Sequence, residues 1–321
     1  MQLIKDLCDV LTTSNKPIKI IGIVPQSGEE DFIIHEEGDT LEIGLTKQIY
    51  FRIFKESHEV FHTHHEDRLR IDSLSHSNME ELYYMTLGYL ITTNEHSTII
   101  ALHEELVERL GNHEYDLEIV SCFLTCRMKR INKSSMLWHF VKKLTMIRLS
   151  KDYDVSQFLC RALVSCELHF ANYYGNNYLQ WLIVLCKSKE VELNEFQNML
   201  IDSCRKHLSD SSLWGTLKVA FNPDKVLIEY VTSVYYNRLT GESLLKKFPR
   251  VDYNDTVVTL FEWLLRSYCQ YKTPFLVLIE STNSLTILDE FGKMLNKSTL
   301  KSTTDLKDKL LKRKQQILST Q

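Results

Sequence analysis

Apolar residues recur through most of this chain at intervals of three and four, which is the spacing of one face of an α-helix. The pattern is clearest between residues 117 and 144. Its first helix carries an apolar stripe of Leu117, Val120, Leu124 and Met128, and its second helix buries Trp138, Val141 and Leu144. A short polar loop ending in Ser134 and Ser135 joins them, so the two helices are expected to form an antiparallel hairpin.

The same hairpin pattern occurs in four consecutive segments. One hairpin cannot bury its own apolar face, so its copies are expected to stack on each other. The second helix of each segment has a large apolar anchor, at Ile100, Trp138, Trp181 and Trp214. Glu118 lies 20 residues before Trp138, and Arg161 takes that place in the third segment, whose first helix has Phe158 and Phe170 in its apolar pattern. The alternative is a set of unrelated helices that each need a large core residue.

The two ends of the chain have other patterns. Ile18–Val24 and Phe32–Ile34 are rich in β-branched residues, which predicts a small β-hairpin or extended chain packed on helices. Gly38 and Asp39 are expected to form a turn before the next helix. Further helices are predicted over 2–12, 45–65, 226–239, 257–271 and 305–318. The last of these carries a basic stripe that could contact an acidic partner or a membrane surface, or simply be solvated.

These patterns predict an all-α fold, a right-handed α-α superhelix of antiparallel hairpins similar to tetratricopeptide repeats. Its predicted domains are residues 1–77, with the β-hairpin and a His-rich helix, the repeats at 78–221, and C-terminal helices at 222–321 that continue the solenoid. A linker is expected between Asp67 and Asn78.

Composition supports a helical protein. Only 10 Gly and 5 Pro occur among 321 residues, which favours long helices over a turn-rich β-fold. The net charge of -4 gives no broad surface for nucleic acid. The longest apolar run, Pro274–Ile279, is too short to span a membrane. Eight scattered cysteines without a Cys-x-x-Cys pair indicate reduced thiols in a cytoplasmic protein.

Two hairpins contain motifs of a known family. The third has Asn177-Tyr178-Leu179-Gln180-Trp181, and the second has Lys133-Ser134-Ser135-Met136-Leu137-Trp138. These motifs resemble the repeat of protein prenyltransferase alpha subunits, over roughly residues 80–221, and the N-terminal segment is similar to the divergent alpha-type subunit of geranylgeranyltransferase type III. The resemblance implies a substrate-selecting subunit for geranylgeranyl transfer to protein cysteine, not catalytic alone.

The resemblance also implies partners and sites. The partners would be a prenyltransferase beta subunit, which holds the catalytic zinc, and a protein substrate with a C-terminal cysteine; this chain itself would need no cofactor and no metal. Lys133 matches a family lysine that stabilises the departing diphosphate, which makes it the candidate catalytic residue. Asn177 and Tyr178 match a pair at the boundary with substrate and partner. From the residues alone, Lys133 could equally be an exposed loop lysine, Asn177 a helix cap and Tyr178 a packing residue.

A second motif suggests different chemistry. His58-Glu59-Val60-Phe61-His62 places two histidines one helical turn apart around a glutamate, as in zinc proteases. No Gly-x-x-His follows it, and the segment is strongly polar, so a solvated helix end explains it better. Three hypotheses therefore stand: the prenyltransferase subunit, a helical-repeat scaffold for another protein with no prenylation role, and, remotely, a zinc protease.

Overall fold

The chain forms a mostly helical protein with one small sheet. The computed structural model describes residues 1–25, 30–66, 71, 74–93, 95–151, 154–223, 225–231, 253–298 and 303–320. Within these ranges there are sixteen helices and three strands. They divide into two compact units, the first up to Tyr178 and the second from Leu179 onward. The predicted linker and the predicted helix over 226–239 lie partly outside the described residues.

Unit 1 holds the sheet and most of the predicted repeats. Its elements are α1 (Gln2–Thr13), β1 (Ile18–Val24), β2 (Phe32–Glu37), β3 (Thr40–Thr46), α2 (Lys47–Glu66), α3 (His76–Thr93), α4 (Ser97–Leu110), α5 (His113–Leu124), α6 (Lys129–Asn132), α7 (Ser135–Ser150), α8 (Ser156–Leu168) and the start of α9 (Tyr173–Ser188).

Unit 2 is helical in the residues described. After the rest of α9 it contains α10 (Asn194–Lys206), α11 (Ser211–Phe221), α12 (Lys225–Val231), α13 (Asn254–Arg266), α14 (Lys272–Ser281), α15 (Leu285–Lys297) and α16 (Thr303–Thr320). Phe261 stacks on Phe291 with ring centroids 3.9 Å apart and meets Phe275 edge-on, so aromatic packing joins α13, α14 and α15.

The three strands form a mixed sheet in the order β1-β3-β2. β2 and β3 are an antiparallel hairpin that turns at Gly38, whose φ of 52° suits glycine. β1 lies parallel to β3 on the other side, with Ile18 opposite Thr40. The predicted pairing of Ile18–Val24 with Phe32–Ile34 is therefore wrong, and the turn at Gly38 leads into a strand. Leu41, Ile43 and Leu45 alternate with less apolar residues, the two-residue period of a strand.

The outer edge of β1 is covered by the segment that follows α5. Ile21 N donates to Thr125 O at 3.3 Å, and Arg127 N donates to Ile21 O at 2.7 Å. The Thr125 hydroxyl also donates to Lys19 O. These bonds join the sheet to the helices of unit 1.

Helices are present at the places of the four predicted pairs: α3 and α4, α5 and α7, α8 and α9, α10 and α11. The two helices of the first, second and fourth of these pairs pack on each other. Trp138 and Trp214 occupy equivalent positions, each four residues after an N-cap side chain, Ser134 for α7 and Asp210 for α11. Trp181 differs, because it is the ninth residue of α9. The indoles differ too: Trp138 Nε1 donates to Asn132 O at 2.8 Å, while Trp214 Nε1 has no hydrogen-bond partner among the described residues.

All eight cysteines are reduced thiols in the structure. Seven of them are buried: Cys8, Cys122, Cys126, Cys166, Cys186, Cys204 and Cys269. Cys160 is the partly exposed one. Within the described ranges, no helix combines the length and the apolar character needed to cross a membrane.

Candidate interaction surface

Large aromatic side chains are exposed at the turn between α8 and α9. Phe170 is 61% exposed, Tyr173 65% and Tyr174 47%. Asn177 is also exposed, and since it lies three and four residues after the two tyrosines it shares their face of α9. The prediction that Phe170 belongs to the apolar face of α8 is wrong, because α8 ends at Leu168 and Phe170 falls in the turn.

Lys133 fixes the backbone of this turn. Its ammonium donates to Phe170 O at 2.6 Å and to Ala171 O at 3.3 Å. Ala171 has a φ of 52°, a left-handed conformation that disfavours a residue with a Cβ. The lysine therefore holds a strained turn in place across the end of α6. We define the aromatic–basic surface as Lys129, Lys133, Phe170, Tyr173 and Tyr174.

A buried network of amides lies next to this turn. Asn172 Nδ2 donates to Asn132 Oδ1 at 2.8 Å, and Asn132 Nδ2 donates to Ser165 Oγ at 2.7 Å and to Leu124 O at 2.9 Å. Asn172 Oδ1 accepts from Gly175 N at 3.1 Å in the first turn of α9. A Cβ at Gly175 would lie 2.9 Å from Cys166 Sγ, so only glycine fits there without a shift. The aromatic side chains thus project from a backbone with little freedom.

The two segments that supply the surface are rich in basic residues. Residues 119–151 contain eight Lys or Arg and no Asp or Glu, and residues 168–189 also lack Asp and Glu. Four cations of the first segment, Arg127, Lys143, Arg148 and Lys151, pair with carboxylates of other elements. His169 lies beside the surface. Burial lowers the pKa of His169, and the ammonium groups of Lys133 and Lys129 act in the same direction.

The structure brings together two of the three residues that the sequence indicated. Lys133 and Asn177 lie on or beside the aromatic–basic surface. Tyr178 is buried instead: its ring lies 5.2 Å from that of Trp138, and its hydroxyl is 2.9 Å from Thr145 Oγ1. Its contacts are those of a packing residue.

The histidine motif of α2 has other contacts. His58 Nδ1 is 2.9 Å from the Tyr89 hydroxyl, and its ring stacks on Phe54. Glu59 faces Lys55, 3.8 Å away. In the part of the chain that the structure describes, no group of three or more His, Cys, Asp or Glu side chains is arranged to hold a metal ion. The geometry therefore gives the zinc-protease hypothesis no support.

Thr86, His103 and Asp116 are connected in the order of a catalytic triad. Thr86 Oγ1 is 2.7 Å from His103 Nδ1, and His103 Nε2 is 3.0 Å from Asp116 Oδ1. All three side chains are fully buried, so no substrate can reach them. Tyr83 donates to the same Asp116 oxygen at 2.8 Å. The group is a structural polar network that joins α3, α4 and α5.

A buried ionic cluster was not predicted from the sequence. Glu118 of α5 accepts hydrogen bonds from Arg161 of α8 and from Lys19 of β1. Arg161 also donates to Pro17 O at 2.9 Å, and Lys19 to Leu11 O at 2.5 Å. Both cations are almost fully buried. These side chains bind to one another and to backbone carbonyl groups of unit 1, and they stabilise this unit.

The basic stripe of α16 is partly engaged as well. Arg313 donates to Asn283 Oδ1 at 2.7 Å, and Lys314 pairs with Asp289. Lys309 and Lys312 are exposed. Part of the stripe therefore holds α16 to its neighbours in unit 2.

The fold and the surface define a mostly helical protein with a small mixed sheet and a preformed surface of exposed aromatic residues beside Lys133. Residues 1–125 match the family model described as the ECM9 N-terminal domain, and residues 137–243 match that of the ECM9 middle domain. Over 286 residues the chain is 26% identical to Protein ECM9 of Saccharomyces cerevisiae, covering 82% of this chain and 73% of the yeast protein. Lys129, Arg130 and Lys133 lie between the two matched segments.

These comparisons correct the family assignment made from the sequence. The matching family models are those of ECM9, and no prenyltransferase family matches. The prediction of a prenyltransferase alpha subunit, with its geranylgeranyl transfer, is therefore wrong. Any stacked helix pair needs a large anchor, so a short motif centred on tryptophan does not separate one helical family from another. Nothing tests the catalytic role predicted for Lys133 or the boundary roles predicted for Asn177 and Tyr178. These predictions were derived from the resemblance to prenyltransferases, which is wrong.

Proposed function

We propose that this protein is a helical scaffold that holds a partner protein on the aromatic–basic surface. The observation that carries the proposal is the exposure of Phe170, Tyr173 and Tyr174 on a turn that Lys133 fixes. Aromatic residues and arginine are enriched where protein interfaces derive most of their binding free energy. Exposing three such rings to water is unfavourable unless another surface covers them.

The rigidity of the turn supports the same function. Binding loses free energy when side chains or loops must be ordered, so a surface that is already ordered binds more tightly. Here Lys133, the amide network of Asn132 and Asn172, and the close packing at Gly175 order the turn in the free protein. A standard interface covers about 800 Å² on each partner, and the aromatic–basic surface would form the centre of such an area.

We also propose that the four helix pairs are copies of one repeat, stacked as a right-handed superhelix. The equivalent positions of Trp138 and Trp214 after their capping side chains support a repeat. The separate position of Trp181 means that the third pair would be a diverged copy. Superposition of the four pairs in an experimental structure would test this: anchors that fail to coincide would argue for unrelated helices.

Photo-cross-linking tests the binding function. A benzophenone amino acid is placed at Tyr173, and a matched control carries it at Tyr268, an exposed tyrosine of unit 2. We expect one defined partner to cross-link at Tyr173 and not at Tyr268. The partner is then purified and its affinity measured by calorimetry against the Tyr173→Ala/Tyr174→Ala variant, which should bind at least tenfold more weakly.

A second double variant provides the control for that measurement. Tyr268→Ala/Tyr271→Ala removes two exposed tyrosines from unit 2 and should bind the partner as the unchanged protein does. Both double variants should unfold at the same denaturant concentration as the parent. Equal cross-linking at the two positions, or a reconstituted complex indifferent to the loss of Tyr173 and Tyr174, would overturn the proposal.

A further inference from the structure

The strand β2 leaves one edge of the sheet without a partner. It pairs with β3 on one side only, whereas the outer edge of β1, at the other end of the sheet, is covered by Thr125 and Arg127. In a strand, alternate residues turn their backbone N–H and C=O groups away from a given neighbour. Among the described residues, none outside β3 forms a hydrogen bond with the backbone of Phe32–Glu37. The outward backbone groups of β2 are therefore free to pair with one more strand.

The buried face of the sheet also ends at β2. Ile43 of β3 lies on this face and is 1% exposed. Ile34 of β2 is directly opposite Ile43 and shares its face, yet 49% of Ile34 is exposed. A strand added beside β2 would cover the part of Ile34 that contacts water, and burying apolar surface favours such an addition.

Acidic residues lie at both ends of this free edge. They are Glu30 and Asp31, just before β2, and Glu36, Glu37 and Asp39, at the end of β2 and in the turn that follows. All five side chains are exposed. Residues 20–46 contain no Lys or Arg at all. We define the acidic edge as β2 with these five carboxylates.

Cations of other elements reach only part of the acidic edge. Arg52 of α2 lies 3.6 Å from Asp31. Lys16 lies 3.8 Å from Glu36. Both distances exceed that of a hydrogen bond, and exposed pairs of this kind are weak. The other three carboxylates have no Lys or Arg partner among the described residues, and only His35 approaches one of them. The acidic edge therefore keeps a net negative charge.

From these observations we infer that the acidic edge binds an extended, basic segment of a partner protein, which becomes the fourth strand of the sheet. An apolar side chain of this segment lies beside Ile34, and its Lys or Arg side chains meet the carboxylates at the two ends of β2. In strand addition, main-chain hydrogen bonds provide affinity and the side chains provide specificity. The inference goes beyond the proposed function, because it concerns a different surface of unit 1 and does not depend on the aromatic–basic surface.

A second copy of this chain fits the acidic edge less well. In an antiparallel pair of two β2 strands centred on Ile34, Glu37 of one copy would lie opposite Asp31 of the other. A parallel pair in register would place Glu36 beside Glu36. Like charges in facing positions destabilise a strand pair, and charged edge strands generally resist pairing with copies of themselves. Charge complementarity thus favours a basic segment over a second copy.

Fluorescence anisotropy with labelled peptides tests the inference on the full chain. The first probe is a short synthetic peptide with two lysines at each end and alternating valine and threonine between them, and the second has glutamate in place of each lysine. Two further probes carry backbone N-methyl groups on alternate residues of the basic peptide, in the two possible patterns. We expect the basic peptide to bind and the acidic one not to bind. One methylated pattern should abolish binding and the other should leave it nearly unchanged, because an added strand uses the N–H groups of one side only.

Charge reversal then locates the site. The variant Glu36→Lys/Glu37→Lys should bind the basic peptide at least tenfold more weakly. The matched control Glu192→Lys/Glu195→Lys reverses two exposed glutamates of unit 2 and should bind it no more than twofold more weakly. Both variants should unfold at the same denaturant concentration as the parent. Equal losses of affinity in the two variants would show nonspecific attraction and overturn the inference.

A pair of isoleucine variants tests the apolar contact. Ile34→Thr keeps a β-branched residue in β2 and should weaken binding of the basic peptide several-fold. Ile23→Thr changes an exposed isoleucine of β1 and should leave binding unchanged. Equal effects of the two variants would place the peptide elsewhere and overturn the inference.

Three further outcomes would also overturn it. The basic peptide could fail to bind, or it could bind equally well with either methylated pattern, which would show charge attraction without strand pairing. Sedimentation of the free chain tests the second copy. A concentration-dependent dimer that Ile34→Thr dissociates would show that β2 pairs with itself.

Discussion

Arg161 and Glu118 form a two-pronged ion pair in the interior of unit 1, with Nη2 2.5 Å from Oε1 and Nη1 2.8 Å from Oε2. Lys19 bonds the same Oε1 at 2.6 Å. Through these three side chains and the carbonyl groups that Arg161 and Lys19 reach, the pair joins α1, β1, α5 and α8. A single carboxylate therefore holds two buried cations.

Removing one partner of this pair should strongly destabilise the protein. Arg161→Met leaves Glu118 with one cation and should lower the free energy of unfolding by about 3–5 kcal/mol, because a buried charge loses its compensation. Urea unfolding followed by circular dichroism measures this. The control Arg52→Met breaks an exposed pair with Asp31 and should cost less than about 1 kcal/mol. Similar losses in the two variants would contradict the role of burial.

The same pair predicts a pH dependence. Burial opposes the ionisation of Glu118, but hydrogen bonds and charge from Arg161 and then Lys19 outweigh it, so the pKa of Glu118 is below its ordinary value of 4.5. The folded state thus binds this proton more weakly than the unfolded state. The stabilisation is complete above pH 4.5 and is lost as the pH falls through the folded pKa.

Comparison with Glu118→Gln tests the sign of this effect. Unfolding free energies of the parent and the variant should differ most near neutral pH and converge as the pH falls below 4.5 and through the folded pKa. A difference that stays constant through this range would show that Glu118 titrates alike in the folded and unfolded states.

Lys142 should destabilise the fold at neutral pH. Its side chain is 9% exposed in α7, and burial lowers the pKa of Lys142 to about 8. Because the folded pKa lies below the unfolded one, the penalty is full at pH values below 8 and fades as the pH rises toward 10.5. Lys142→Met should therefore raise the stability by on the order of 2 kcal/mol at pH 7 and by less at pH 10.

The neighbouring lysine provides the control for this variant. Lys143 is more exposed and pairs with Glu104. Lys143→Met should lower the stability by at most about 1 kcal/mol, the usual worth of a surface ion pair. A loss of stability in Lys142→Met would show that the ammonium is stabilised by its surroundings.

Replacing Ala171 by glycine should stabilise the protein. At its positive φ, a residue with a Cβ is disfavoured by about 1–2 kcal/mol, and glycine removes this strain. Part of the gain in stability is offset because glycine increases the conformational entropy of the unfolded chain. Ala171→Gly should stabilise the protein by about 0.5–1 kcal/mol in thermal or urea unfolding. Ala101→Gly, in the middle of α4, should have the opposite sign and a similar magnitude. Two changes of the same sign would contradict the backbone argument.

Much of the helical part of the fold could be predicted from the sequence. Three- and four-residue periods located the helix pairs, and the hydroxyl of Ser134 was correctly predicted to begin α7. The sheet was harder. Ile18 pairs with Thr40 in a parallel register, and no turn in the sequence indicates such a pairing. Because β3 runs directly into α2, Leu45 and Thr46 were assigned to the helix, and the first part of β3 was not predicted as a strand.

The candidate surface could be predicted in part only. Lys133 and Asn177 were selected through a family resemblance that proved wrong, and Phe170 was expected to be buried. Exposure depends on where α8 stops, and no strong stop signal such as proline or glycine follows Leu168. The pairing of Glu118 with Arg161 had a signal, since both occupy the same place in successive helix pairs, 20 residues before Trp138 and Trp181. Only the three-dimensional structure shows that these places touch.

The reactivity of the native cysteines can report the unfolding of this protein. Cys160 should react first with a thiol reagent such as dithionitrobenzoate, and the seven buried thiols only after the helices around them separate. Five thiols lie in unit 1 and three in unit 2. Pulsed alkylation read by mass spectrometry would therefore follow the unfolding of each unit separately, without any engineered cysteine.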